Sequence, residues 1–240
     1  MKLADTLREH ERAWNERPLL RRIYGDWFAL LASRLSAVAG DTLELGSGIG
    51  RLRAHVPGLV TTDVEETPWA DRMVDADALP YEDGELANVV MLDVFHHLAR
   101  PAAFLDEARR ALTPGGRVVM LEPHVSPLSG LAYRLHHERL ELDADGFAET
   151  DSTDPLDANL AQTTLAFFRQ RDEYACRWPE LPVVEARLLS LFVYPLSGGF
   201  TRRPLLPAAL YRPLDAAERA LTPLLGRLAA FRSLLVLERA

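Results

Sequence analysis

The chain carries one cysteine, Cys176, in 240 residues. A single thiol forms no intrachain disulfide and builds no cysteine zinc site, so its plain reading is a half-buried structural residue. Basic residues are also scarce: 27 Lys and Arg stand against 35 Asp and Glu, a formal charge of −8. A general nucleic-acid binder needs a net basic face to neutralise phosphates, and this balance excludes that class while leaving local basic patches open. No apolar run is long enough to span a bilayer. The charged start, Arg8-Glu9-His10-Glu11-Arg12, does not fit a signal peptide, and a soluble, cytoplasmic protein is expected. Internal repeats and low-complexity linkers are missing too. What remains is a 48% hydrophobic composition, over a length that buries one substantial core.

The stretch Leu43-Glu44-Leu45-Gly46-Ser47-Gly48-Ile49-Gly50 organises the rest. β-favouring and apolar residues from Thr42 to Leu45 read as a strand, and three alternating glycines let the backbone turn tightly and approach a ligand. A helix is expected to open at Arg51 to Ala54, with its free N–H groups facing whatever lies over the turn. A dinucleotide fingerprint needs its third glycine one position later, where Arg51 stands. By itself the glycine triplet is weak evidence, and its surroundings must decide.

Ahead of it, Leu3 to Val38 shows helical spacing, split by Pro18 into two helices whose Trp14, Tyr24 and Trp27 either cap the main domain or contact the substrate directly. After it, Leu59 to Asp63 reads as a second strand. An Asp at the carboxyl end of such a strand can accept from both hydroxyls of a ribose lying over the first turn. Met73 to Asp75 is a short third strand, Val89 to Asp93 a fourth, Pro101 to Leu112 a helix with proline in its first turn, and Arg117 to Glu122 a fifth strand after the stop Thr113-Pro114-Gly115-Gly116. This alternation predicts a Rossmann-like α/β three-layer sandwich. Its mostly parallel, seven-stranded sheet has an antiparallel last strand and binds ligands beyond the strand carboxyl ends.

From His124 to Arg177 no strand is expected; a helix-like Leu160 to Tyr174 and an acidic stretch suggest an insertion that serves as a lid. Val183 to Tyr194 and Leu234 to Glu238 read as the last strands. Between them Arg202, Arg203, Arg212 and several prolines mark a basic, apolar stretch, either a proline-braced connector or a surface for an anionic membrane through 202–223. The expected division of the single domain is a helical cap (1–40), a ligand-binding core (41–123), a substrate-side insertion (124–182) and terminal strands with their connector (183–240).

Five signals in order resemble the class I S-adenosylmethionine-dependent methyltransferases, in particular the type 11 and quinone-biosynthesis branch. They are Glu44 to Gly50, then Asp63, then Asp77-Ala78-Leu79-Pro80-Tyr81, then His96-His97-Leu98, and finally Leu112-Thr113-Pro114-Gly115-Gly116-Arg117. The resemblance covers Thr42 to Pro123. It implies that Gly46, Ser47, Gly48 and Gly50 pass beneath the methionine and ribose portions of S-adenosylmethionine, with Glu44 supporting the turn and the amino group. Asp63, with Val64 beside it, would hold the ribose hydroxyls, and Asp77 and Ala78 would meet the adenine. Asp93 ends a strand on the same edge. Each of the three aspartates also has a plain reading as a helix cap or turn acid.

The chemistry of that ligand agrees with the residues present. A sulfonium and an ammonium want acids and carbonyls, which Glu44, Asp63, Asp77 and Asp93 offer, with no lysine nearby. Methyl transfer is then an in-line displacement in which alignment does much of the work and a base is needed only for an acceptor that loses a proton. The candidate bases are His97, His124, Tyr133, His136, His137 and Glu138. The run His136-His137-Glu138 has no partners at metal-ligand spacing, and no metal is expected. The Asp/Asn-Pro-Pro-Tyr/Phe motif used on exocyclic amines of bases is missing. A small-molecule, lipid-like or glycan-precursor acceptor is therefore expected. The rival readings are a non-catalytic adenosylmethionine-binding protein and a different nucleotide-binding α/β enzyme.

Overall fold

The computed structural model describes residues 3–240. Two helices, α1 (Leu3–Glu16) and α2 (Pro18–Ala32), lead into β1 (Asp41–Leu45), β2 (Val60–Asp63), β3 (Arg72–Met73) and β4 (Leu86–Leu92). Then come α3 (Pro101–Ala111), β5 (Leu112–Pro123), α4 (Pro127–Leu135), the short α5 (Gln162–Thr164), α6 (Arg171–Arg177), β6 (Val183–Leu189), α7 (Val193–Ser197), α8 (Tyr211–Ala229) and β7 (Arg232–Glu238). The seven strands lie in the order β3-β2-β1-β4-β5-β7-β6. Every pairing from β3 to β5 is parallel, and β7 runs antiparallel to both β5 and β6, as the sequence predicts.

Side-chain alternation along the central strands divides the core in two. Val90, Val119, Leu121, Leu234 and Val236 meet α2 through Ile23, Phe28 and Leu31. Val89, Met91, Val118, Met120 and Leu235 meet α3 through Phe104, Leu105 and Ala108, joined by Phe167 and Trp178. Helices on both faces leave β4 buried from Leu86 to Met91, which accounts for the apolar run from Val89 to Leu92.

Several elements differ from expectation. The helix expected after the glycine turn is a single 3-10 turn, Leu52–Ala54, because Pro57 and Gly58 end the stretch before a second turn can form. Its place on the sheet is taken by α2, whose Leu19, Ile23 and Phe28 cluster with Leu52, Val56 and Leu59. The stop at Thr113–Gly116 ends α3 but lies inside a twelve-residue β5 as an irregularity against β4. The last-but-one strand ends at Leu189, where Ser190 turns left-handed at φ 58° and a helix follows. The expected proline connector is largely α8, 19 residues long; Pro213 falls in its first turn, where a missing N–H is harmless, and Pro223 lies inside it. Cys176 is exposed rather than half-buried. On α6, Tyr174 faces the core, as does Trp178 just beyond its end, and Cys176 lies off that stripe. Among the described residues no helix is long and apolar enough to cross a membrane.

The glycine turn itself is held by packing. At Gly50, φ is +62° and a Cβ would lie 2.8 Å from the Trp69 carbonyl oxygen; at Gly58, φ is +75° and nothing lies within 4 Å. Gly58→Ala should therefore cost about 1–2 kcal/mol, the left-handed penalty alone. Gly50→Ala should cost roughly 1 kcal/mol or more beyond that, because backbone must also move. Urea unfolding of the two variants measures the difference, and equal losses would show that Trp69 does not enforce the turn.

Candidate active site

The carboxyl edge of β1, β2 and β4 opens into a cavity of about 770 Å³. Its floor is the glycine turn. Gly46 takes φ +60°, and a Cβ there would come within 2.6 Å of Val94, so the turn after β4 seats directly on it. Helix α1 roofs the turn, with Leu3 and Leu7 packed on Ile49. The segment 150–156 and Phe200 complete the wall.

Of the residues singled out in the sequence, Glu44, Gly46, Ser47, Gly48, Asp63, Val64, Asp77 and Asp93 all line this cavity. Gly50 and Ala78 do not. Gly50 supports the turn from behind, and Ala78 closes a tight turn by donating its N–H to the Asp75 carbonyl at 3.2 Å. Among the candidate bases only His97 lines the cavity. His124 lies edge-on against Phe168, and its Nδ1 is 3.4 Å from the Thr164 hydroxyl. Tyr133 donates its hydroxyl to the Phe231 carbonyl at 3.0 Å, and burial raises its pKa above the ordinary range. His136, His137 and Glu138 are exposed past the end of α4. Among the described residues no group of His, Cys, Asp or Glu forms a metal cluster.

Three polar atoms at the turn are buried without a hydrogen-bond partner: Glu44 Oε2, Ser47 Oγ and Arg51 Nε. Buried polar groups are ordinarily satisfied, so orphans gathered in one cavity mark a place built for a polar ligand. Burial raises the Glu44 carboxyl to about 8, against the partial help of Arg53. Asp63 is better provided for, accepting from Gly48 N–H at 3.1 Å and Val64 N–H at 2.9 Å. Burial still lifts its pKa. Asp77 is also lifted by burial, although Arg100 pairs with it at 2.6 Å. His97 Nδ1 lies 3.0 Å from the Asp157 carbonyl. A carbonyl partner assigns the proton to Nδ1 and leaves the lone pair on Nε2. Burial, helped by the neighbouring His96, lowers this imidazole to about 4, so it is neutral at pH 7.

Residues 43–120 match the family model described as a methyltransferase domain. Over those residues the chain is similar to S-adenosylmethionine-dependent methyltransferases. The chain is 35% identical over 121 residues to a demethylmenaquinone methyltransferase of Thermus thermophilus, an alignment covering 48% of this chain and 51% of that protein. It thus spans about half the length of that relative. A methyltransferase from Archaeoglobus fulgidus shares the fold at a TM-score of 0.56 and 11% identity, covering 91% of this chain and 94% of the other. A geranyl diphosphate methyltransferase does so at 0.54 and 17%, covering 96% and 90%. At those identities the likeness speaks for the fold.

The surroundings of the cavity also use residues that the sequence alone left unmarked. Glu122 is fully buried at the end of β5 and accepts from the Val94 and Phe95 N–H groups at 2.8 and 2.9 Å and from His96 Nδ1 at 2.7 Å. Arg232, at the start of β7, is buried between the rings of Tyr194 and Trp27 and forms an ion pair with Asp93. His10 and Phe200 stack with centroids 4.4 Å apart in the cavity wall. Their only sequence signal is residue type; the partners lie more than a hundred residues away or on another element.

The Glu44 value sets a test. Folded, the carboxyl keeps its proton up to about pH 8, whereas the unfolded chain releases it near the ordinary value of 4.5. Stability from this group is therefore greatest below pH 4.5 and falls as pH rises toward 8. Glu44→Gln should stabilise the free protein by on the order of 2 kcal/mol at pH 8 and by much less at pH 5. Denaturant unfolding at the two pH values reads this, and a pH-independent difference would contradict it.

Proposed function

We propose that this chain is an enzyme that transfers a methyl group from S-adenosylmethionine to a small or lipid-like acceptor. The observation carrying this reading is the set of unpartnered polar atoms beside Asp63 in one cavity. They form a complement to an amino acid joined to a nucleoside. Glu44 Oε2 and the Ser47 hydroxyl suit the ammonium end, and Arg51 Nε suits the carboxylate. Asp63 retains unused lone pairs for ribose hydroxyls after accepting its two backbone N–H groups, and Asp77, steadied by Arg100, faces the adenine end. Arg51 thus acquires a use at the very position where a dinucleotide fingerprint would require glycine.

When bound, S-adenosylmethionine supplies a methyl group on a sulfonium that leaves readily. The protein's share is then position. Gly46 and Gly48 let the floor come close, α1 closes over it, and the neutral His97 offers Nε2 to a proton from the acceptor. The apolar part of the wall, Leu7, Trp14, Phe28 and Leu156 among it, suits an acceptor with little charge.

Calorimetry with S-adenosylmethionine tests the reading, and no binding at about 1 mM would overturn it. Asp63→Ala should weaken binding by about 1–3 kcal/mol; unchanged affinity would put the ribose elsewhere. Arg51→Met should weaken S-adenosylmethionine by about 1.5–3 kcal/mol, the worth of a charged hydrogen bond, and leave decarboxylated S-adenosylmethionine unaffected. Equal losses for both ligands would remove Arg51 from the carboxylate. Transfer of a labelled methyl group into a metabolite extract distinguishes an enzyme from a protein that only binds.

A further inference from the structure

We propose that α8, with α4 beside it, forms a surface that lies flat on an anionic lipid bilayer, its leucines entering the acyl boundary and its arginines meeting the headgroups. Helix α2 turns its leucines toward the core; α8 does the reverse. Its inward side is polar or small. The Tyr211 hydroxyl donates to Asp26 at 2.6 Å, Glu218 accepts from the Phe192 and Val193 N–H groups at 2.8 and 2.7 Å, and a Cβ on Gly226 would lie 3.3 Å from Leu188 on β6. These contacts are spread along the helix and fix its rotation, so the leucines are held outward. Leu221, Leu224, Leu225 and Leu228 are all exposed, Leu224 by 80%.

Single exposed leucines are ordinary on a protein surface, but these do not stand alone. Helix α4 packs against α8 and exposes Leu128, Leu131 and Leu135, whose spacing puts them on one face. Leu205 and Leu210 add to them from the segment leading into α8. Of the fourteen exposed large hydrophobic residues among those described, nine belong to this region, a concentration that marks a docking surface.

Around the axis of α8 the exposed side chains are sorted. At about 100° per residue, its four leucines fall within an arc of about 100° and Arg212, Arg219 and Arg227 within an arc of about 80°, with Pro213 and Ala220 between. A solvated face would carry charge among the leucines, and here none intrudes. A helix lying in a membrane interface has this division, with apolar side chains below the headgroups and arginines reaching up to the phosphates.

Charge decides the occupant. The whole chain is acidic, with 27 Lys and Arg against 35 Asp and Glu. Across α4, residues 198–210 and α8 the balance is reversed: Arg134, Arg202, Arg203, Arg212, Arg219 and Arg227 stand against Asp215 and Glu218. Both acids are already engaged, Asp215 by Arg219 at 2.8 Å and Glu218 by backbone N–H groups. Among the described residues Arg134, Arg203, Arg212 and Arg227 form no ion pair. A second copy of the chain is the rival occupant, but a two-fold contact sets one patch against itself and would bring arginines to arginines with no free acid between them. An anionic bilayer supplies the missing charge together with apolar depth. Among the described residues no helix is long and apolar enough to cross it, so the contact is peripheral. The stretch 202–223, one expected reading of which was a membrane surface, is part of this face; the end of α8 and α4 extend it.

Flotation of the full chain on vesicles tests the surface. It needs no methyl donor, so its failure is separate from that of the function proposed above. The chain should float with vesicles of equal parts phosphatidylcholine and phosphatidylglycerol and should bind phosphatidylcholine alone about tenfold more weakly. Leu224→Glu combined with Leu228→Glu should abolish flotation on the anionic vesicles with the urea midpoint unchanged, because both side chains are exposed. Arg212→Gln combined with Arg227→Gln should weaken binding to the anionic vesicles by about fivefold for each arginine. No flotation on anionic vesicles, flotation undiminished by the leucine pair, or equal binding to phosphatidylcholine alone would each overturn the proposal. A chain that stays unbound, sediments as a dimer and is made monomeric by the leucine pair would overturn it in favour of a second copy.

Discussion

The buried carboxylate of Glu122 is the point on which the carboxyl edge of the sheet depends. It sits at the end of β5 with no exposure to solvent. Burial pushes its pKa up, but the His96 ring and the N–H groups of Val94 and Phe95 outweigh burial and leave it below its ordinary value. One side chain thereby satisfies the opening donors of the turn 94–97, which would otherwise be orphaned at a helix-like N-terminus. That turn does two things at once. It presses Val94 onto Gly46, fixing the floor of the cavity, and it delivers His97 to the wall. Loss of the carboxylate would strand several buried donors together, a larger penalty than one surface contact could bring.

The parts of this protein legible in the sequence are those whose cause is local. Glycines at alternating positions, an acid at the end of a strand and a proline at the start of α3 each state their conformation within a few residues. The mostly parallel sheet followed from an alternation that held only in outline: between β1 and β4 the chain has no α-helix, and α2, from before the first strand, covers the face that a crossover helix would occupy. Hydrophobic periodicity reports that a helix has a buried face and does not report which surface it meets. The same limit hid which residues the aromatic N-terminal helices meet. Trp14 and Tyr24 were legible as cap residues, yet their partner Phe200 arrives from a segment that carries no periodic signal of its own.

Among the catalytic candidates, proximity in sequence misled where strand ends did not. His124 lies one residue past β5 and still points away from the cavity, because the chain turns there into α4 and the ring is taken up by Phe168 and Thr164. Tyr133 is committed to a backbone carbonyl. His97 reaches the cavity because it leaves β4, at the sheet position where the strand order reverses between β1 and β4. Ligand sites gather at such a switch point because the connections on its two sides diverge and leave a crevice. Chain topology therefore discriminates between histidines that composition and spacing treat alike.

The electrostatic design has the same logic at both ends of the cavity. At the glycine turn Glu44 is buried without a partner and is held protonated up to about pH 8, which is an unfavourable state for the free protein between pH 4.5 and 8. At the end of β4 Asp93 is supplied with a permanent partner, Arg232, from the start of β7. The difference follows from what each group must do. A carboxyl left unsatisfied gains most from a ligand that brings its own positive charge, so its desolvation becomes binding selectivity for a cation. A carboxylate paired with a buried arginine keeps its orientation whether or not a ligand is present. Two acids on one sheet edge, Glu44 on β1 and Asp93 just past β4, thus differ by what lies behind each side chain rather than by the side chain itself.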